Sequence, residues 1–343
     1  MRSVTALVVT WDSAADIARC LASLDAVEHE PFDVVVLDNA SSDHTVDIVE
    51  ELRGRPRRHP LALMRLPTNR GFCGAVNVGV RASTADAILL VNPDATLAPG
   101  AVGALVRVLA EHPDCGSVQP KVLRLTHDGG ESRTIDTTGH VLTRPRLLLN
   151  RGSGEIDDGR FDRPGEVFGV SGALALHRRA MLEDVARGGT DDREYLTEDL
   201  VAYFDDVDLD LRARQRGWSA RYEPAAVGHH ARAGASRRRR RRVRVLNLSN
   251  HPLVVIGNEG AASLSRDALV VVPLWVVRLL VATVRSPIAM LMAIARLHLL
   301  PAALRRGRAD RARATVPLTD VLERWCEPLP RGWLAAAARR GLR

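Results

Sequence analysis

Ala87-Ile88-Leu89-Leu90-Val91-Asn92-Pro93-Asp94 is the stretch that decides the fold. Its apolar run, closed by polar turn residues, predicts a buried strand. The carboxylate of Asp94 then falls where a parallel strand ends, and open α/β sheets bind ligands just outside those carboxyl ends. A carboxylate there can hold a hard divalent cation, which in turn can neutralise a diphosphate leaving group. Asn, Pro and Asp are also ordinary turn residues, so the tripeptide alone fits a plain strand-to-loop turn equally well.

The flanking sequence tips the balance. Upstream, Ala6 to Thr10, Asp33 to Leu37 and Leu61 to Leu66 read as strands. Ile17, Leu21 and Leu24 lie at helical spacing, and Asn77 to Ala82 lies on a helix before the strand that ends at Asn92. This βαβαβ rhythm predicts an α/β fold with a mostly parallel sheet covered by helices. The polar cluster Asp38-Asn39-Ala40-Ser41-Ser42-Asp43 reads as a loop feeding a helix N-cap. Residues 126–166, rich in Gly, Asp, Arg and Thr, are expected to form a long loop or hairpin region. A helix is expected at Arg178 to Val185, and an acidic helix start at Tyr203 to Gln215.

Length and composition set the outer bounds. A chain of 343 residues with 46% hydrophobic content can bury a sizeable core in one large domain or two smaller ones. Cys20, Cys73, Cys115 and Cys326 are widely spaced with no CxxC pair, which argues against a zinc module or disulfide framework and fits a reducing cytosol. Met1 to Thr10 is too short an apolar run for a signal peptide and reads better as the first strand.

The net charge of +7 is almost all arginine, with Lys121 the only lysine, and it concentrates in the unbroken run Arg237 to Arg242. Such a run suits a solvated loop, a nucleic-acid arm or a contact with anionic lipid. No aromatic residues interleave with it, so nucleic acid is not the expected partner. Leu269 to Leu304 is strongly apolar but broken by Arg278, Arg285, Arg296, Pro273, Pro287 and Pro301. Without a run of about 18 uncharged residues, two amphipathic helices are expected instead of a clean membrane span. They would lie on a membrane surface, on the main domain or at an oligomer contact. The expected division is residues 1–236 as an α/β domain and 237–343 as a basic, amphipathic helical region that could associate with a membrane.

Six segments, read together and in order, resemble a family 2 glycosyltransferase with the GT-A fold. They are Val8 to Asp12, Leu37 to Asp43, Asn69 to Gly79 and Leu90 to Asp94, then Ser171-Gly172-Ala173 with Arg178-Arg179, and Phe204 to Leu209 with Arg212. The resemblance covers roughly Val4 to Ser236. Ile135-Asp136-Thr137-Thr138-Gly139 and Asp157-Asp158-Gly159-Arg160 look like the bacterial rhamnosyltransferase-like branch.

The resemblance implies roles residue by residue. Asp38 would accept the imide N–H of a uracil or thymine, with Thr10 and Asp12 framing base and ribose. Relatives often carry Asn where this chain has Asp12. Asn69, Arg70 and Gly71 would sit beside the nucleotide sugar, with small residues allowing close backbone approach and Arg70 able to pair with phosphate. Arg70 suits a plain surface arginine as well, and Asn77 reads as a structural amide. Asn92 and Asp94 stand for the family's metal motif, with Mg2+ or Mn2+ the implied cofactor. His230, or alternatively His229, would reach the metal or diphosphate. Asp206, with Asp205 beside it, would supply the general base for an inverting single displacement. Asp208 with Arg212, and Asp210 with Arg214, also fit helical ion pairs.

The implied activity is a hexosyltransferase-like glycosyltransferase using a nucleotide-diphosphate sugar. L-rhamnose from dTDP-rhamnose is the leading donor, and a UDP-hexose or UDP-galactofuranose the alternative. The acceptor would be a polyprenyl-diphosphate-linked or cell-envelope glycan, reached from the cytoplasmic side of the cell membrane. A nucleotidyltransferase would need a Gly-rich, basic phosphate loop soon after the first strand, and Val9 to Ala18 has neither glycine nor lysine. A non-catalytic, membrane-associated nucleotide-binding scaffold would tolerate neutralising Asp94 and Asp206.

Overall fold

Four parallel strands carry the first part of the chain: β1 (Val4–Thr10), β2 (Phe32–Asp38), β3 (Leu61–Arg65) and β4 (Ala87–Val91). They lie in the order β4-β1-β2-β3, joined by α1 (Ile17–Asp25), α2 (Thr45–Arg53) and α3 (Gly71–Ala82). Every residue of β1 and β4 is buried, as expected of strands covered by helices. From β1 the chain builds outward to β2 and β3, then returns to place β4 on the other side. That reversal makes the carboxyl ends of β1 and β4 a topological switch point.

The computed structural model describes residues 3–126, 130–189, 192–231 and 237–329. Beyond β4 come β5 (Ala95–Leu97), α4 (Ala101–Glu111) and the long β6 (Cys115–Leu125). The region expected as loop or hairpin carries short strands: β7 (Glu131–Thr137), β8 (His140–Thr143), β9 (Leu148–Asn150) and β10 (Gly165–Val167). β7 folds back antiparallel on β6. Then follow β11 (Leu174–Arg178), α5 (Arg179–Val185), α6 (Asp205–Gln215) and β12 (Ser219–His230). β11 runs antiparallel between β4 and β6, and β12 runs parallel to β6, which completes a mixed but mostly parallel sheet.

The chain divides into two compact units. The first holds the large sheet, and its core is formed by residues such as Val8, Ile17, Leu21, Val36, Leu89, Leu105 and Leu174. The second comprises Val141–Leu149, Arg214–Arg216 and the C-terminal helices. Those helices are α7 (Arg237–Arg266, interrupted at Gly260), α8 (Ala268–Arg285), α9 (Pro287–Ala295), α10 (Leu300–Ala312) and α11 (Leu318–Trp325). The basic run thus opens a helix. Within this unit the buried Arg146 donates to Glu259 Oε1 at 2.7 Å, to Asp267 Oδ2 at 2.7 Å and to the Arg144 carbonyl at 2.6 Å. A charge this deep stays folded only because its hydrogen bonds are met.

The apolar segment divides at Ser286, where α8 ends and α9 begins, while Pro273 lies inside α8. Pro287 opens α9 at a position where a missing N–H costs nothing, and Pro301 lies in the first turn of α10. α8 and the helical run Pro287–Ala312 are long and apolar enough to cross a membrane by length and composition, with mean hydropathy 2.0 and 1.7. α8 leaves Leu269 93%, Leu280 62% and Val284 83% exposed, and α9 leaves Leu291 68% exposed.

Candidate active site

Thr10 and Asp38 end adjacent strands in register. Both are buried, and the Thr10 hydroxyl donates to Asp38 Oδ1 at 3.2 Å while the Ser41 N–H donates to Oδ2 at 3.2 Å. Asp12 lies exposed at φ 50°. Its Oδ1 accepts from the Ser42 N–H at 2.7 Å and the Ser42 hydroxyl at 3.1 Å, so it ties the β1 and β2 loops together. The site's first wall is therefore a strand-end pair capped by a serine-rich turn.

Asn39 fixes the second wall. Its Nδ2 donates to the Gly71 carbonyl at 2.9 Å, and its Oδ1 accepts from the Arg70 N–H at 2.7 Å. Asn69 Oδ1 accepts from the Gly71 N–H at 2.9 Å, closing the turn into α3. Gly71 takes φ +73°, and a Cβ there would lie 2.7 Å from the Val201 carbonyl oxygen. Arg70 is exposed and pairs with Glu198 at 3.2 Å. Asn77 is a structural amide: its Oδ1 accepts from Tyr195 and Leu196 N–H, and its Nδ2 donates to the Leu196 carbonyl.

The β4 end holds the third group. The Asn92 N–H donates to the Ala173 carbonyl at 2.8 Å, and the Ala231 N–H donates to the Asp94 carbonyl at 2.9 Å. This second bond brings the end of β12 beside Asp94. His230 Nε2 stands 3.1 Å from Asp94 Oδ1, and its Nδ1 is 3.0 Å from Asp136 Oδ2. Burial opposes protonation of His230, but the Asp136 and Asp94 carboxylates outweigh it and raise the imidazole to about 9. Successive strand residues face opposite ways, and His229 points instead toward Glu131, at 3.8 Å.

Among the described residues no group of three or more His, Cys, Asp or Glu side chains could hold a metal ion by itself. Asp94 and His230 form a two-donor set of one carboxylate and one imidazole. Such a set fits an ion whose remaining positions belong to diphosphate oxygens and water. Asp136 holds the far nitrogen of His230 and fixes the ring, and an ion bound at Nε2 would displace the proton that Nε2 shares with Asp94.

The fourth group opens α6. Asp205 is buried, whereas the Asp206 side chain is 24% exposed. Burial, and next the Asp206 carboxylate, push the Asp205 carboxyl well above the usual range. Asp206 Oδ2 accepts from the Gly172 N–H at 3.1 Å, and Oδ1 from its neighbour Val207 N–H at 2.9 Å. The chain enters this helix through Val201, Tyr203 and Phe204, all at positive φ (66°, 67° and 64°). For β-branched and aromatic residues that conformation is strained, and such strain gathers at functional sites. Further along α6, Asp208 pairs with Arg212 at 3.0 Å as its spacing suggested. Asp210 turns to His140, 2.8 Å away, and Arg214 stacks over the Trp325 ring at 4.3 Å.

The structure thus adds His140 and Glu198 to the residues read from sequence, and gives Asn39, Asp136 and Asp210 contacts that the sequence did not assign. Asp136 lies in the branch-like DTTG segment, a signal that located it without assigning a role. His140 had no local signal, because its partners are 66 to 70 residues away in sequence.

The sequence model described as glycosyl transferase family 2 matches residues 5–186, more than half of the 343-residue chain. The chain is 28% identical over 255 residues to an N-acetylglucosaminyl-diphospho-decaprenol L-rhamnosyltransferase of Mycobacterium tuberculosis, covering 65% of this chain and 75% of that protein. It is 20% identical over 231 residues to a poly-beta-1,6-N-acetyl-D-glucosamine synthase of Staphylococcus aureus. That match covers 66% of this chain but only 49% of the synthase, so the chain spans about half its length. Among solved structures, GalNAc-T7 with UDP, GalNAc and Mn2+ superposes with TM-score 0.66 at 10% identity, over 100% of this chain and 58% of that one. A mannosyltransferase from Pyrobaculum calidifontis with GDP-Man and Mn2+ superposes with TM-score 0.52 at 22% identity, over 99% and 80%. At those identities the likeness is one of fold, and the fold is GT-A.

Proposed function

Because the chain belongs to glycosyltransferase family 2, we propose that it transfers L-rhamnose from dTDP-rhamnose to a hydroxyl of a polyprenyl-diphosphate-linked glycan, with inversion at the anomeric carbon. The rhamnosyltransferase relative supports this donor and acceptor class. The observation that carries the chemistry is the Asp94–His230 pair at the end of β4, 3.1 Å apart, beside a sheet switch point.

Asp38 and Thr10 receive the base, and Asn69, Arg70 and Gly71 line the sugar-diphosphate side. Asp94 and His230 would hold a divalent ion, Mg2+ or Mn2+, which when bound supplies charge neutralisation for the departing diphosphate. Asp206 takes the proton of the acceptor hydroxyl. The acceptor oxygen forms its bond to the anomeric carbon as the bond to the diphosphate oxygen breaks, and that electron pair leaves with the nucleoside diphosphate. One displacement at one carbon inverts configuration without a covalent enzyme intermediate.

The C-terminal region, from about residue 237, docks the enzyme on the cytoplasmic face of the membrane where a lipid-linked acceptor resides. Arg240, Arg241 and Arg242 are exposed, as is one face each of α8 and α9. Basic side chains suit anionic headgroups and the apolar faces suit the acyl boundary. A UDP-sugar donor is the second reading.

The test is a donor panel. Purified protein is given dTDP-rhamnose, UDP-hexoses or UDP-galactofuranose, with Mg2+ or Mn2+ and a polyprenyl-diphosphate-linked N-acetylglucosamine acceptor. Acceptor-dependent release of dTDP from dTDP-rhamnose alone supports the first reading. Release of UDP with no turnover of dTDP-rhamnose replaces it by the second.

A further inference from the structure

His140 lies at the start of β8, buried, with both ring nitrogens facing carboxylates of α6. Its Nδ1 is 2.8 Å from Asp210 Oδ2, and its Nε2 is 3.6 Å from Asp206 Oδ2, an ion-pair distance beyond hydrogen-bond range. Asp210 and Asp206 are four residues apart, so both side chains sit on one face of the helix. We propose that His140, clamped by Asp210, is a positioning residue that holds the Asp206 carboxylate aimed at the acceptor.

The surroundings are built for this clamp. Asp210 Oδ1 accepts from the Val170 N–H at 3.2 Å, and the His140 N–H donates to the Gly169 carbonyl at 2.9 Å. A Cβ at Gly169 would fall 1.8 Å from Asp210 Oδ2, so only glycine lets this carboxylate reach the histidine. The charged groups facing the imidazole are Asp206, Asp210 and Asp205, all from α6. The 169–170 segment contributes backbone only. Burial opposes a charge on His140, but Asp206 first and then Asp210 outweigh it and raise the imidazole above its usual range. The imidazole therefore stands behind Asp206 as an ion-pair partner on its buried side.

A positioning role differs from a proton relay and from plain packing. In a relay, His140 itself would hand a proton to solvent, yet it is buried between two acids. In plain packing, loss of the ring would lower stability and donor binding together with turnover. Under the proposal, loss of the ring lets the Asp206 carboxylate leave its aim. The chemical step then slows, while donor binding, which uses other residues, persists.

This inference rests on Asp206 being the base, and the experiment separates the two. His140→Gln and Asp210→Asn are compared with the unaltered enzyme at pH 7 over a range of donor concentrations at saturating metal. The expected result is a fall of roughly tenfold or more in kcat, with donor KM within about twofold. An unchanged kcat, or a loss carried by donor KM in place of kcat, overturns the proposal. Should either variant fail to fold, 15N NMR of the unaltered enzyme decides: His140 should carry protons on both ring nitrogens at pH 7, and a neutral ring overturns the clamp. Asp206→Asn serves as the separate control, since full activity there removes the base assignment itself.

Discussion

Replacing Gly71 by alanine should injure stability and turnover together, because this residue joins the donor-side turn to the loop that launches α6. Gly71 sits at φ +73°, where an L side chain costs about 1–2 kcal/mol. The new Cβ would lie 2.7 Å from Val201 Cγ1, 2.7 Å from the Val201 oxygen and 3.1 Å from its Cα. Two of those atoms are backbone, so rotamer adjustment cannot relieve the contact. That oxygen also accepts the Cys73 N–H at 3.1 Å, a bond worth about 1 kcal/mol net. The sum is a loss of roughly 2–4 kcal/mol. Moving Val201 also displaces Phe204 and, through it, the first turn of α6 that carries Asp205 and Asp206. Urea unfolding at 25 °C measures the first effect and kcat at saturating donor the second. Gly103 in α4 is the matched control: a Cβ there meets nothing within 4 Å, so Gly103→Ala should stabilise by about 0.5–1 kcal/mol. A Gly71→Ala enzyme within about 0.5 kcal/mol of the parent and fully active would refute the coupling between turn and loop.

His177 is buried, its Nδ1 2.9 Å from the Ser117 hydroxyl, and burial lowers its imidazole to about 4. The unfolded chain takes up this proton below about pH 6.5 and the folded chain does not. Its contribution is therefore full above pH 6.5, falls as pH drops to 4, and is on the order of 3 kcal/mol. The denaturation midpoint should fall less over that window in His177→Gln than in the parent, and equal slopes would contradict the assignment. Sedimentation with anionic liposomes should weaken as salt rises, because charge attraction is screened, and leave an apolar remainder. Leu280→Asn with Val284→Asn, both at exposed positions, should abolish that remainder. An unchanged remainder would return α8 to a packing role.

The parts of this fold that repeat regularly were legible in sequence. β4 forms over Ala87–Val91 as its apolar run required, and β1 to β3 follow within a residue or two. Asp38 and Asp94 were found because each closes such a strand. The resemblance put His230 ahead of His229 for the place beside the metal or diphosphate. The alternation of β12 faces them oppositely and brings His230 to Asp94. Asp136 and His140 escaped assignment for another reason. They meet His230 and Asp210 from 94 and 70 residues away, and only the folding of β7 and β8 creates those pairs. Asp210 illustrates how a local rule misleads. Its spacing to Arg214 suits a helical ion pair, yet the carboxylate serves a histidine on another element.

Single-turnover kinetics of Asp206→Asn decide whether Asp206 takes the acceptor proton. The amide keeps the shape of the side chain and removes its basicity. The chemical step should slow by ~10²–10⁴-fold while the donor dissociation constant stays that of the parent. A single-turnover rate that survives, or a collapse of donor affinity in its place, would make Asp206 a binding residue and contradict the mechanism.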